Sequence, residues 1–269
     1  MNPSIDENVR DEILHELDKI EKEHKIKIIY AVESGSRAWG FPSKDSDWDV
    51  RFIYVHDKDW YLSIDNATKK DSIEVMLPGE LDFSGWELRK ALNLFRKCNP
   101  SLMEWLHSSI IYIKDDEIMK DIFDLIPKIF NAKSCMYHYL SMAKQNYKDY
   151  LMKDEVKIKK YFYVLRPMLS CIYIEKYLKM PPIIYTELLE DEFVNNKLKI
   201  EYPELLTEIY NLLDRKLSSQ ELGLEPKNII IHKFIEDMIK YYDDRTKTID
   251  SCNLDVKESL DVLFRSIVK

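Results

Sequence analysis

Glycine is scarce in this chain, 5 residues in 269, and cysteine and histidine are nearly as rare, at 4 and 6. So little glycine excludes collagen-like and low-complexity architectures. Cys98, Cys135, Cys171 and Cys252 stand far apart, form no C-x-x-C pair, and fit neither a metal clip nor a small disulfide scaffold. The histidines are scattered, with no metal-binding spacing. No run approaches the ~18 continuous apolar residues of a membrane span, and the opening MNPSIDENVRDE lacks a signal peptide's apolar stretch. These absences lead us to expect a cytoplasmic protein with no membrane partner and no caged metal.

What is present is a globular composition, 45% apolar, 12% aromatic and 33% charged. At roughly 100–200 residues per domain it suits one large or two modest domains. The charge is unevenly divided. Residues 1–85 hold 19 Asp+Glu against 11 Lys+Arg, whereas 86–269 hold 29 of each, so the whole net charge of −8 lies in the first third. Part of that excess is an acidic first helix, and part suits a carboxylate cluster awaiting a cation. Residues 131–180 reverse the balance, with ten Lys+Arg, four Asp+Glu and nine interleaved aromatics.

Periodicity places a helix over 7–23 and strands over Lys25–Val32, Trp48–Val55 and Ser72–Leu77, the last closed by a Pro78-Gly79 turn. A short strand, Leu81–Phe83, precedes a helix starting near Ser84 or Gly85. Beyond it the chain reads as helical apart from a strand over Ile110–Ile113. Asn99-Pro100 is a helix start, Pro167 is expected to kink or divide its helix, and an irregular acidic stretch is expected near 241–250. The fold class is α+β, a small mixed sheet followed by a helical part, with domains over 1–120 and 121–269.

Chemistry concentrates in Gly35-Ser36 and Asp47-Trp48-Asp49. A glycine after a buried strand lets the backbone turn tightly against a ligand and offer N–H groups to a phosphate, and the Ser36 hydroxyl adds a donor. Alternation along a strand sends Asp47 and Asp49 to one face and Trp48 to the other. Two adjacent carboxylates need a cation, and Mg²⁺ takes hard oxygens, commonly one or two carboxylates plus substrate phosphates. A third carboxylate to hold a second ion and take a proton is Asp82 or its competitor Glu74. Against this stands a plain β-hairpin, because 48 acids in 269 positions give roughly eight acid-x-acid pairs by chance. Asp57-Lys58-Asp59 reads as such a pair, on a solvated turn.

Gly-Ser, a gap of ten residues, Asp-x-Asp and a later apolar-Asp-apolar strand together resemble the core of the DNA polymerase β nucleotidyltransferase superfamily. The fuller strings GSRAWGFPSKDSDWDVRFIYV, LDFSGWELRKAL and NPSLMEWLHS resemble its RNA-ligase-associated family (RlaP, YcgL-like), over about residues 28 to 180. The resemblance implies that Gly35 and Ser36 hold a triphosphate, that Asp47 and Asp49 hold two metals, and that Asp82 rather than Glu74 is the third position.

Arg37 and Arg51 are phosphate donors in one reading; in the other, Arg51 pairs with an aspartate and orders the strand. Trp39 and Trp48 stack on a base or belong to the core, and Trp86 and Trp105 are core residues on helices. Lys159, Tyr163 and Arg166 share a helical face, with Lys160 beside them and Lys144 on the preceding helix. They either neutralise departing pyrophosphate or form a solvated basic face.

The expectation is a nucleotidyltransferase using two Mg²⁺, with Mn²⁺ as a substitute, that moves a nucleoside monophosphate from an NTP to a hydroxyl acceptor. RNA ends, small molecules and proteins all remain open as acceptor. The alternative is a non-catalytic nucleotide- or RNA-binding protein on the same scaffold.

Overall fold

The computed structural model describes residues 5–64, 68–78, 80–218, 223–249 and 255–268, so Gly79 of the expected turn and Cys252 lie outside the described residues. The chain forms two compact units. The first comprises residues up to Ala38, Ser46–Ile129 and the last helix, and the second comprises Trp39–Asp45 and the stretch from Phe130 through Ile249. The expected boundary at 120/121 falls inside the helix Asp116–Ile129, which stays with the first unit.

The first unit begins with α1 (Glu7–His24), capped by the Asp6 side chain, which accepts from the Asn8 N–H at 2.9 Å. Its apolar stripe buries Ile13, Leu17 and Ile20. A left-handed Lys25, with φ of 52°, ends the helix and leads into β1 (Ile26–Glu33). A helical turn, α2 (Gly35–Ala38), leaves the end of β1 and leads out of this unit, which the chain re-enters before β2 (Trp48–His56). A second single turn, α3 (Lys58–Tyr61), precedes β3 (Ser72–Leu77) and β4 (Leu81–Glu87). Then come α4 (Leu88–Arg96), α5 (Pro100–Leu106), β5 (Ile111–Lys114) and α6 (Asp116–Ile129). The Asn99 side chain caps α5 by accepting from the Leu102 N–H at 3.2 Å, as the Asn-Pro signal implies.

The five strands form one mixed sheet in the order β3-β4-β2-β1-β5. β2 and β4 are parallel, and the other neighbouring pairs are antiparallel. The α1 stripe packs with Ile28, Val50, Phe52, Tyr54 and Phe83 in one buried cluster. Each such side chain removed from water is worth about 1.5–3 kcal/mol.

β4 corrects the sequence reading. It does not stop at Phe83 but runs on through Ser84-Gly85-Trp86, and α4 starts at Leu88 under a Glu87 cap. Gly85 pairs with Phe52 across the parallel ladder, and a Cβ at Gly85 would stand 2.1 Å from the Phe52 ring. The contact with β2 therefore continues the strand where local sequence suggests a helix cap. Trp86 accordingly lies on a strand, stacked 3.9 Å from Trp105 of α5.

The second unit is helical. α7 (Ala132–Asn146) and a π-turn at Tyr147–Leu151 precede a two-stranded ribbon of β6 (Glu155–Lys157) and β7 (Leu224–Pro226), which the sequence reading did not include. α8 (Ile158–Tyr177) is buried almost along its whole length. α9 (Tyr185–Glu190), α10 (Glu192–Glu201), α11 (Leu205–Leu217) and α12 (Ile229–Thr248) complete it. Phe41, from the inserted Trp39–Asp45 segment, packs its ring 4.9 Å from Phe162 and 5.2 Å from Tyr185. The stretch near 241–250 is helical as far as Thr248.

Pro167 does not divide α8. Proline has no N–H to give the carbonyl four residues back, at Tyr163. Asn146 Nδ2, on the preceding helix, donates to that carbonyl at 3.4 Å, so the polar cost of the proline is met from outside its own helix. The last helix, α13 (Lys257–Ile267), belongs to the first unit, where Phe264 meets Tyr61 edge-on at 5.2 Å. Among the described residues no helix is long and apolar enough to cross a membrane.

Candidate active site

Asp49 and Asp82 are direct register partners on the parallel strands β2 and β4, each the second residue of its strand. Two carboxylates about 5 Å apart repel by roughly 3 kcal/mol at an effective dielectric of about 20. Arg51, two residues along β2, offsets that repulsion. Its Nη2 donates to Asp49 Oδ1 at 2.7 Å and to Asp82 Oδ2 at 2.8 Å, while Nη1 donates to the Asp82 carbonyl at 2.9 Å. Of the two readings of Arg51, pairing is the one seen, and it joins both aspartates. A single cationic group thus lies between carboxylates 33 residues apart in sequence.

Gly35 closes on the same carboxylate. It is left-handed, with φ of 58°, and a Cβ there would fall 2.0 Å from Asp49 Oδ2. Only glycine fits, because both the backbone conformation and the space exclude a side chain. Ser36 is half-buried at the next position.

Asp47 departs from the expected geometry. β2 starts at Trp48, so Asp47 belongs to the preceding loop and is exposed. Strand alternation therefore does not reach it. Among the described residues no three acidic, histidine or cysteine side chains form a group that could hold one metal ion. Asp47 still acts on Asp49 through space. Burial pushes the Asp49 carboxyl above its ordinary range, Arg51 opposes the shift, and Asp82 and Asp47 reinforce it. Glu74, the competitor of Asp82, is exposed on β3.

Arg37 orders the loop before β2. It donates through Nη2 to the Ser46 carbonyl at 2.7 Å and through Nε to the Asp47 carbonyl at 3.2 Å. Its guanidinium carbon lies 3.6 Å from the Trp48 ring centroid, which accounts for that tryptophan as an arginine platform.

The sequence reading missed Glu33. It is fully buried at the end of β1, and its Oε1 accepts from the Asp49 N–H at 2.9 Å while Oε2 accepts from the Tyr112 hydroxyl at 2.7 Å. Burial raises its carboxyl to about 7, against the two hydrogen bonds that favour the charged form. One signal points to it: a run of apolar strand residues, Ile28 to Val32, ends in an acid immediately before Ser34-Gly35.

The other basic candidates, Lys144, Lys159, Lys160 and Arg166, belong to the second unit and stand in unlike surroundings. Lys159 is exposed, whereas Arg166 is 2% exposed, its guanidinium 4.8 Å from the Trp39 ring and donating to the Ile183 carbonyl at 3.5 Å. Trp39 itself packs against Phe41 and Tyr163. Lys160 sits over Tyr150 at 3.9 Å and Tyr163 at 4.6 Å, and Lys144 is ion-paired with Asp243 of α12.

Comparison with known proteins supplies the family. The model of the RlaP family, described as an RNA repair pathway DNA polymerase beta family, matches residues 9–266. The chain belongs to that family. The match runs past 180, where the resemblance read from the sequence ends, and takes in both units. The chain is also 46% identical over 261 residues to the uncharacterized protein YcgL of Bacillus subtilis (strain 168), covering 97% of each chain. Among solved structures, the crystal structure of a nucleotidyltransferase-like protein from Exiguobacterium sibiricum 255-15 aligns over 85% of this chain and 75% of its own, at 11% identity and a TM-score of 0.35.

Proposed function

We propose that the protein is a Mg²⁺-dependent nucleotidyltransferase that transfers a nucleoside monophosphate from an NTP to a hydroxyl acceptor and releases pyrophosphate. The observation that carries this reading is the Asp49–Asp82 register pair, whose carboxylates share one cation beside the Gly35 turn. The donor set suits the ion: hard carboxylate oxygens from two rigid strands, already drawn to a single positive group. Asp49 and Asp82 would hold Mg²⁺, or Mn²⁺ in its place, and Arg51 would yield its position; a second ion would need the Asp47 side chain to turn in from the adjoining loop. When bound, Mg²⁺ lowers the charge cost of in-line attack at the α-phosphate.

The remaining work falls to the chain. Gly35, lacking a Cβ, lets the Asp49 carboxylate close on the turn, and the turn's backbone N–H groups and the Ser36 hydroxyl donate to the triphosphate oxygens. Asp82 takes the proton of the attacking hydroxyl. Arg37 keeps the Ser46–Asp47 loop in place for Asp47 to act. The description of the family as an RNA repair group supports RNA ends as the first acceptors to try.

The test is incubation with each α-labelled NTP, Mg²⁺ and RNAs bearing defined ends. Label is expected in RNA and pyrophosphate in solution, and both should vanish with chelator. No transfer to any RNA, small-molecule or protein fraction of an extract would end this reading. One observation favours a binding-only alternative, since Arg51 already pairs with both carboxylates. That alternative expects calorimetry to show nucleotide binding unchanged by Mg²⁺.

A further inference from the structure

The sheet ends in an unusual way beside Asp49. The last residue pair of β1 with β2 is Glu33 with Val50, and the Ser34 N–H then donates to the Asp49 carbonyl at 2.9 Å. In an antiparallel ladder two such residues exchange both of their N–H···O bonds. Here the exchange is half made. The Ser34 carbonyl has turned away to accept from the Ala38 N–H at 3.4 Å, which starts the helical turn at Gly35. The Asp49 N–H would be left without its ladder partner, and a part-buried amide without a partner is costly. The Glu33 carboxylate takes its place.

We propose that Glu33 is the positioning residue for Asp49, its buried side chain completing the broken ladder so that the chain turns off at Gly35 while the Asp49 carboxylate stays against it. Four bonds fix Glu33 for this task. Its N–H donates to the Ile110 carbonyl at 2.9 Å, and its own carbonyl accepts from Ser108 Oγ at 2.7 Å. Its two carboxylate oxygens serve the Asp49 N–H and the Tyr112 hydroxyl. The acid is thereby anchored on β5 and the loop before it, and it transmits that anchorage to β2.

A carboxylate is an expensive way to satisfy one amide in a fully buried place. A backbone carbonyl would serve if β1 continued straight, but then Gly35 would not reach Asp49. Glu33 is what reconciles a sheet edge with a tight turn at the same residue. Its catalytic consequence rests on the transferase reading, whereas its placing of Asp49 does not.

The experiment compares wild type, Glu33→Gln, Glu33→Ala and Tyr112→Phe by amide hydrogen exchange at Asp49 and by kcat and KM for transfer, per folded molecule. Glutamine keeps an oxygen for the Asp49 N–H and can donate to the Tyr112 oxygen, so exchange protection and kcat should stay within about threefold of wild type. Alanine removes both bonds. Asp49 protection should be lost and kcat should fall by about tenfold to a hundredfold, as for other supports of metal ligands, with KM for NTP little changed. Tyr112→Phe leaves the Asp49 bond and should shift both readouts in the same direction by less, which decides the matter if Glu33→Ala does not fold. Wild-type protection and kcat in Glu33→Ala, or equal damage in Glu33→Gln and Glu33→Ala, would overturn the proposal. Wild type that transfers nothing would sink the transferase reading alone, because exchange at Asp49 still reports on Glu33.

Discussion

In the first unit three acids of the candidate site are held by named partners. Glu33 meets Asp49 and Tyr112, and Asp49 and Asp82 meet through Arg51. In the second unit the cations expected to grip phosphate stand in unlike surroundings: Lys159 in solvent, Lys160 over tyrosine rings, Lys144 against Asp243, and Arg166 buried beside Trp39. Strand register brings distant residues to one point because neighbouring strands are locked less than about 5 Å apart. A helix face only aligns residues near in sequence, and each side chain then finds its own surroundings. The contrast teaches where specific chemistry is to be sought in this chain, in the register of β2 and β4.

The comparison can be broken most severely at the acids. Asp49→Asn or Asp82→Asn should reduce transfer at least about a thousandfold, the loss of several kcal/mol of transition-state charge stabilisation, with the far-ultraviolet circular dichroism unchanged. Gly35→Ala comes next. A Cβ 2.0 Å from Asp49 Oδ2, on a residue with φ of 58°, should lower transfer more than about tenfold and lower stability by about 1–2 kcal/mol, read by denaturant titration.

Arg51→Met sharpens the contrast by removing the resident cation. Metal-free variant should lose about 1–3 kcal/mol of stability through two uncompensated carboxylates, and millimolar Mg²⁺ should restore it, while wild type responds less. Loss without Mg²⁺ rescue would mean that the ion does not enter between Asp49 and Asp82.

Glu33→Gln gives a pH signature. The folded-state value of about 7 lies above the ordinary 4.5, so the wild-type carboxyl supports the fold fully below its unfolded value and loses that support as pH rises through 7. Glu33→Gln should gain stability relative to wild type across that window and hold the gain above it, in thermal melts from about pH 4 to 9. The smallest effect is expected in the second unit. Lys144→Ala breaks a half-exposed pair with Asp243 and should cost less than about 1 kcal/mol, with transfer near the wild-type rate.

Much of the site is legible in the order of residues alone. Strand alternation and a Gly-Ser break bring Gly35 and Asp49 together on paper, and an acid between Leu81 and Phe83 points to Asp82. The reading fails at boundaries and at distant partners. Asp47 lies one residue outside β2, and one residue is enough to void an argument from alternation. The Ser84-Gly85 signal for a helix start is overridden by pairing with Phe52, far away along the chain. Pro167 predicts a break in α8, and the donor that spares it, Asn146, is on another helix. Glu33 looks like any other acid in a chain holding 48 of them, and only the burial of its strand on both sides sets it apart.

The central claim is that Asp49 and Asp82 form a divalent-cation site in which Arg51 stands while no metal is bound. Titration of Mn²⁺ into wild type and Asp82→Asn, followed by the loss of the free-ion electron paramagnetic resonance signal, addresses it without any knowledge of the acceptor. The account predicts saturable binding by wild type that is lost in the folded variant. Equal binding by both proteins, or none by wild type in the presence of NTP, would contradict it.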